Sequence, residues 1–431
     1  MGHPNPNDSE IDRRQTAQKK KSLFSILTGF VLFFMLFFTN QMNFRGSHVI
    51  ASGNVDLQVF VKLGVLAGTF ALCLMYYKNV LRVLPRLPVF MHGVLLVFLL
   101  CVTALPHAFG FYSFYTLATL IIMFFVTIVF TSRFGIDKMM YYYLISMSIF
   151  CVFCLVFYYL VPSIGRYAYW EGGVYLVSTR MSGISGHPNS LGFLCAVASL
   201  AFVHLFMTRY PMNKLLYLGF VLVLLCLVLT NSRTSLGGMI LMVGLYSALH
   251  LRLFPVAVLG VVLLSAFILL SVELSWGIVP ELMQMISRSG KAEEITSLTG
   301  RSHVWDSLFM LIEKRPVLGW GYARIGAVLA EHRDEIGFEA GQAHNLYLQL
   351  LFSGGFVGLF LYILNLIIAL MLSIVRVVQG GSPLVFCILF YFIFASFTET
   401  IMMSNVASGS YMIFIMCLVS LSQNKTRNEF E

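Results

Sequence analysis

Uninterrupted apolar runs of about twenty residues, the length needed to cross a bilayer, recur along this chain and narrow its possible folds to one class. Leu346 to Leu372 contains no Asp, Glu, Lys or Arg, and Ile145 to Val161 is equally free of charge. Strands fit poorly. The runs are continuous rather than alternating, and a barrel strand needs only about ten residues. With 58% apolar and 11% charged residues, and a mean hydropathy of +0.84, the chain lies outside the soluble globular range. The sequence predicts an all-α membrane protein with about 12 transmembrane helices, and a large helical outer loop between spans 9 and 10.

The spans fall at roughly 22–40, 57–77, 89–106, 114–131, 140–162, 189–207, 213–230, 235–251, 254–272, 346–373, 384–402 and 405–422. This gives a tail over 1–21, helices 1–9 over 22–272, an outer loop over 273–345, helices 10–12 over 346–422 and a second tail over 423–431. Arg13, Arg14, Lys19, Lys20 and Lys21 precede the first run. That run is long for a signal peptide and is not followed by a small-residue cleavage site, so the reading is a retained helix with a cytoplasmic tail. Loops on the same side hold Lys78, Arg82, Arg86, Arg133, Lys138, Arg209, Lys214, Arg252, Arg376, Lys425 and Arg427, whereas the short loops opposite hold Arg45, Arg166, Arg180 and Arg233. The asymmetry follows the positive-inside rule with both termini cytoplasmic. The net charge of +9 is therefore a topology signal and not a nucleic-acid footprint. All eight cysteines lie in apolar runs and read as small buried hydrophobes, Cys151-x-x-Cys154 included.

Topology does not call for arginine on the outer side, so Arg180, Arg233 and Arg301 each need a local reason. Arg180 lies in the turn-rich Ser178-Thr-Arg-Met-Ser-Gly-Ile-Ser-Gly-His187-Pro188-Asn189, and Arg233 in the short polar break Thr230-Asn231-Ser232-Arg233-Thr234-Ser235. Taken singly, each is as readily a guanidinium reaching for lipid headgroups or a helix end. In the outer loop, Ser302 is placed to cap a helix over 303–314. Val304, Trp305, Leu308, Leu311 and Ile312 give that helix an apolar stripe, predicted to lie on the membrane. Pro316 ends it, and Gly319-Trp320-Gly321 forms a turn. The charged residues from Glu331 to Glu339 read as a solvated loop. Ala343-His344-Asn345 then opens the tenth span. A lone histidine there is ordinarily a structural hydrogen-bonder. Glu399 and Lys62 are ionisable residues inside apolar runs, which by default marks them for function.

In their order, Arg180 with Gly186-His187-Pro188-Asn189-x-Leu-Gly192, Asn231-Ser-Arg-Thr-Ser235, Thr299-Gly300-Arg301-x-x-x-Trp305, Pro316-x-x-Gly319-x-Gly321, Ala343-His344-Asn345-x-Tyr347-Leu348 and the glycines at 354–358 resemble the bacterial O-antigen ligase and polysaccharide polymerase superfamily. The resemblance runs from about Arg180 to Gly358. It implies a metal-independent glycosyltransferase with no cofactor, multi-pass in the inner membrane with its active site facing the periplasm. Such an enzyme takes a glycan from undecaprenyl pyrophosphate and joins it to an acceptor hydroxyl, on lipid A core or on a growing glycan. By motif, the pyrophosphate-binding arginines fall on Arg180 and Arg301, with Arg233 in a further shared motif, and the catalytic histidine falls on His344. His303, His187, Asn345 and Glu399 are possible supporting residues, His303 being the second choice of base and Glu399 a group that orients an arginine or histidine.

The residue types suit these roles. A diphosphate leaving group gathers negative charge as the sugar carbon–oxygen bond breaks, and guanidinium forks stabilise it bidentately at any physiological pH. The acceptor hydroxyl must lose a proton as it attacks, and imidazole serves as a base near neutrality. Direct displacement inverts the anomeric centre. A lipid-linked oligosaccharide flippase or another polytopic transporter would share the span count, but no internal repeat of the transporter kind is evident. The sequence leaves ligase and polymerase, sugar and linkage undecided.

Overall fold

The structure is a computed structural model that describes residues 28–32, 34–35, 57–108, 110–171, 174–253, 255–256, 259–260, 301–332, 342–401 and 409–423, with the side chains of 57–59, Lys62, 72, 168–176 and 301–303 left out. Most of the expected first and ninth spans, both tails, 273–300 and 333–341 of the outer loop lie outside the described residues. The helices are α1 (Leu57–Met75), α2 (Tyr77–Val83), α3 (Leu87–Thr103), α4 (Phe111–Leu160) and the single turn α5 (Pro162–Gly165), then α6 (Pro188–Met207), α7 (Leu215–Leu229) and α8 (Arg233–His250). After the gap come α9 (Arg301–Lys314), α10 (Ile325–Glu331), α11 (Leu346–Val378), α12 (Leu384–Ser396) and α13 (Gly409–Ser422). Among the described residues three helices, α4, α6 and α11, are long and apolar enough to cross a membrane, with Leu63–Val83 a bent fourth. Apolar helices α3, α7, α12 and α13 are shorter.

Two of the long helices are interrupted. As one rod, the 50 residues of α4 would reach about 75 Å, far beyond a bilayer. Gly135 breaks it with φ 75° and ψ 165°, which matches the two sequence-predicted spans either side of Arg133 and Lys138. Gly355 breaks α11 in the same way, with φ 62° and ψ −163°. The backbone groups freed there are taken up by the segment after α9. Trp320 N–H donates to the Phe352 carbonyl (2.8 Å), Gly321 N–H to Ser353 (3.0 Å), and Phe356 N–H to Pro316 (2.8 Å). A Cβ on Gly319 or Gly355 would strike the other strand's backbone, so the Pro-x-x-Gly-x-Gly and Gly-Gly motifs form two halves of one clasp.

The core is organised around α6 and α13. Both are apolar on all sides, and every residue of α13 is buried. Helix α6 packs against α4, α7 and α8, while α13 packs against α3, α4 and α12. The 20 residues of α6 span about 30 Å, the thickness of a hydrocarbon core. Polar clusters sit at both ends. At its C-terminal end His204 Nδ1 and Nε2 meet Tyr246 OH (2.8 Å) and Asp137 Oδ1 (2.9 Å), tying α6 to α8 and to the break in α4.

Two expectations need amending. The all-α reading misses an antiparallel hairpin of β1 (Arg166–Glu171) and β2 (Val174–Met181), in register Tyr169↔Leu176 and Trp170↔Tyr175 with a bulge near Arg166. The Gly172-Gly173 pair, of a type favoured in hairpin turns, and β-branched and aromatic neighbours are its sequence signal. Helix α9 is present, but it already includes Ser302, and its apolar stripe does not face lipid. Val304, Leu308, Leu311 and Ile312 pack with Ile325, Val328, Leu348 and Phe352. Seven of the eight free cysteines are buried, Cys151 and Cys154 among them, and Cys101 is exposed.

Candidate functional site

The polar cluster at the N-terminal end of α6 gathers residues from five separate segments. Arg180 closes β2. Its Nε donates to the Thr230 carbonyl at the end of α7 (3.1 Å), its Nη2 donates to Asn189 Oδ1 (2.8 Å), and the Tyr167 ring lies 5.9 Å away. Asn189, in the first turn of α6, uses its amide Nδ2 to donate to Glu399 Oε1 (2.6 Å). The other carboxylate oxygen of Glu399 meets His344 Nδ1 at 3.4 Å. A single polar chain therefore runs Arg180–Asn189–Glu399–His344. The Glu399 side chain is 13% exposed and that of His344 27%, so the carboxylate is shielded while the imidazole reaches solvent.

Local backbone explains the positions. His344 adopts φ 49°, a left-handed conformation that histidine visits more readily than most non-glycine residues. Asn345 caps α11 by accepting from Leu348 N–H at 3.1 Å, which fixes the point where the chain turns into the helix. His344 Nε2, the nitrogen turned away from Glu399, has Gln342 Nε2 at 3.5 Å, and Gln342 in turn accepts from Thr400 Oγ1 at 2.9 Å. His187 caps α6, its Nδ1 accepting from Asn189 N–H at 3.2 Å. Its ring stands 5.2 Å from Tyr167 and 6.3 Å from His344. Gly192 lets α6 approach the Ser232-Arg233 break, since a Cβ there would lie 2.8 Å from Ser235 Oγ.

Arg233 is exposed at the first position of α8. A cation there opposes the helix dipole, an arrangement that stabilises an anion and not the helix itself. The side chains of Arg301 and His303 lie outside the described residues. Their backbone opens α9, one turn ahead of Trp305, whose Nε1 donates to the Ala343 carbonyl at 2.8 Å. Sequence reasoning missed Gln342, Thr400 and Tyr167 as neighbours of this cluster. None stands in a motif of its own.

An apolar groove of about 560 Å³ begins at Asn345 and Trp305 and descends between α11 and α12 past Ile363 and Ile393 to Leu370. Residues 218–363 match the family model described as O-antigen ligase. That match supports the O-antigen ligase and polysaccharide polymerase superfamily. No curated protein matches it. The stretch matching the O-antigen ligase model takes in Arg233, Arg301, His303, His344 and Asn345. Arg180 and Glu399 fall outside it and join it through the hydrogen bonds to Thr230 and His344, and His187, also outside it, has its ring 6.3 Å from that of His344.

Proposed function

We propose that this O-antigen ligase-family protein transfers a glycan from undecaprenyl pyrophosphate to an acceptor hydroxyl at the periplasmic face of the inner membrane, in surface-polysaccharide assembly. The observation that carries the reading is the hydrogen-bonded chain linking a guanidinium, Arg180, to a half-exposed imidazole, His344, through Asn189 and Glu399. Each end has a task in one reaction. Arg180, Arg233 and Arg301 hold the pyrophosphate and stabilise the charge that builds on it as the glycosyl bond breaks. Glu399 orients His344 by accepting from Nδ1–H, which leaves the Nε2 lone pair to take the acceptor's proton. The alcohol oxygen attacks the anomeric carbon from the face opposite the departing diphosphate, so configuration inverts and no metal is needed to carry the charge. The carrier's isoprenoid tail lies in the apolar groove that starts beside His344. The acceptor is lipid A core or a growing glycan.

Purified protein supplied with polyprenyl-pyrophosphate-linked glycan and acceptor tests this. Wild type should release polyprenyl pyrophosphate with transfer of the glycan, and His344→Ala should slow release by about 10²- to 10⁴-fold, the range of general-base catalysis. A transporter would release none, and an unchanged rate in His344→Ala would remove the histidine from the chemistry.

A further inference from the structure

A second cationic cluster lies on the same scaffold and has no part in the chemistry above. The loop after α3 carries His107, and the clasp segment between α9 and α10 carries Arg315 and Arg324. Packing brings them together. Tyr322 N–H donates to Thr103 Oγ1 (3.1 Å), a Cβ on Gly321 would meet Ala108, and a Cβ on Gly110 would lie 3.5 Å from Arg324 Nη1. Arg315 is fixed with its guanidinium 4.7 Å above the Trp320 ring. Arg324 is 15% exposed and pairs through Nη2 with Glu331 Oε1 at 3.0 Å. The His107 pKa is held below its ordinary value, first by burial and then by the charges of Arg315 and Arg324, against an opposing hydrogen bond with the Gly319 backbone.

Two buried atoms here, His107 Nε2 and Arg324 Nε, have no hydrogen-bond partner among the described residues. Leaving such an atom unpaired is costly, more so when it is charged, and the two guanidiniums that act on His107 add positive charge. An oxyanion offsets both. It supplies the acceptor that Arg324 Nε lacks and sets negative charge against the two guanidiniums.

We propose that His107, Arg315 and Arg324 form a second oxyanion site, for a phosphate or carboxylate group. The site stands on its own geometry, apart from the reading of Arg180 and His344. It is anchored to α11 at Phe352 and Ser353, two turns on from Asn345, so a group bound here is held by the helix that begins at His344. The oxyanion comes either from an acidic glycan or from a phospholipid headgroup.

The full chain in nanodiscs, titrated with sodium sulfate at constant ionic strength by calorimetry, provides the test. A background carrying Arg180→Gln, Arg233→Gln and Arg301→Gln removes the other arginine cluster's contribution. In discs of neutral phosphatidylcholine, sulfate should bind saturably, and Arg315→Gln combined with Arg324→Gln should weaken it at least tenfold. Arg315→Lys, which keeps the charge and loses the fork, should weaken it less and serves if the double variant fails to fold. Sulfate binding that persists in phosphatidylglycerol discs assigns the site to a glycan oxyanion, and binding lost there assigns it to a headgroup. Undetectable sulfate binding in the background protein, or equal affinity in the Arg315 and Arg324 variants, overturns the proposal.

Discussion

At the scale of single residues, the proposed function gives the arginines and the histidine different chemical tasks. Arg301 should need its fork and not its charge alone, because a lysine offers a point charge where a diphosphate presents paired oxygens. Arg301→Lys is therefore expected to lose at least tenfold in kcat/KM for the lipid-linked donor in the purified transfer assay. Wild-type activity in that variant would make Arg301 a surface charge. His344, Asn345 and Arg180 stand out in the sequence through the motifs that carry the family resemblance, each at a turn or helix start beside a long apolar run. Their joining is not. Asn189 and Glu399 lie 210 residues apart, and nothing in either local pattern indicates which distant polar group a lone intramembrane glutamate will meet. Glu399 is marked only by the high cost of an ionisable group in lipid.

At the scale of elements, the glycine motifs serve the scaffold. Gly319 and Gly321 read from sequence as a turn and Gly354 to Gly358 as glycines of a helix. Their purpose appears only when the two segments meet across the break in α11. Gly355 has φ 62° and a Cβ there would collide with the Val317 carbonyl, so Gly355→Ala should destabilise the protein by more than about 1–2 kcal/mol. Gly237, with open space around its Cβ position, should accept alanine within about 1 kcal/mol of wild type. Thermal unfolding in detergent compares the two, and equal midpoints would contradict the clasp. The hairpin escapes the sequence reading for a different reason. Its strands are short and lie between apolar runs, where hydropathy dominates the pattern.

At the scale of the whole molecule, the apolar runs predict helices, and the described helices from Leu87 to His250 and from Leu346 to Ser422, the single turn α5 apart, fall on expected runs, since length and hydropathy decide what crosses lipid. The two polar clusters at opposite ends of α6, about 30 Å apart, would stand at opposite membrane faces in the proposed orientation. In a Cys101→Ser background, a membrane-impermeant maleimide applied to spheroplasts should label Arg233→Cys and leave Arg133→Cys unmarked until the cells are broken. The reverse pattern would invert the orientation. The central claim is that Glu399 and His344 act as one unit on the acceptor's proton. A double-mutant cycle tests it most directly, with transfer rates of the purified protein compared for Glu399→Gln, His344→Ala and the pair. If the carboxylate works through the imidazole, the double variant will be no slower than His344→Ala alone, whereas losses that multiply would show the two residues acting independently.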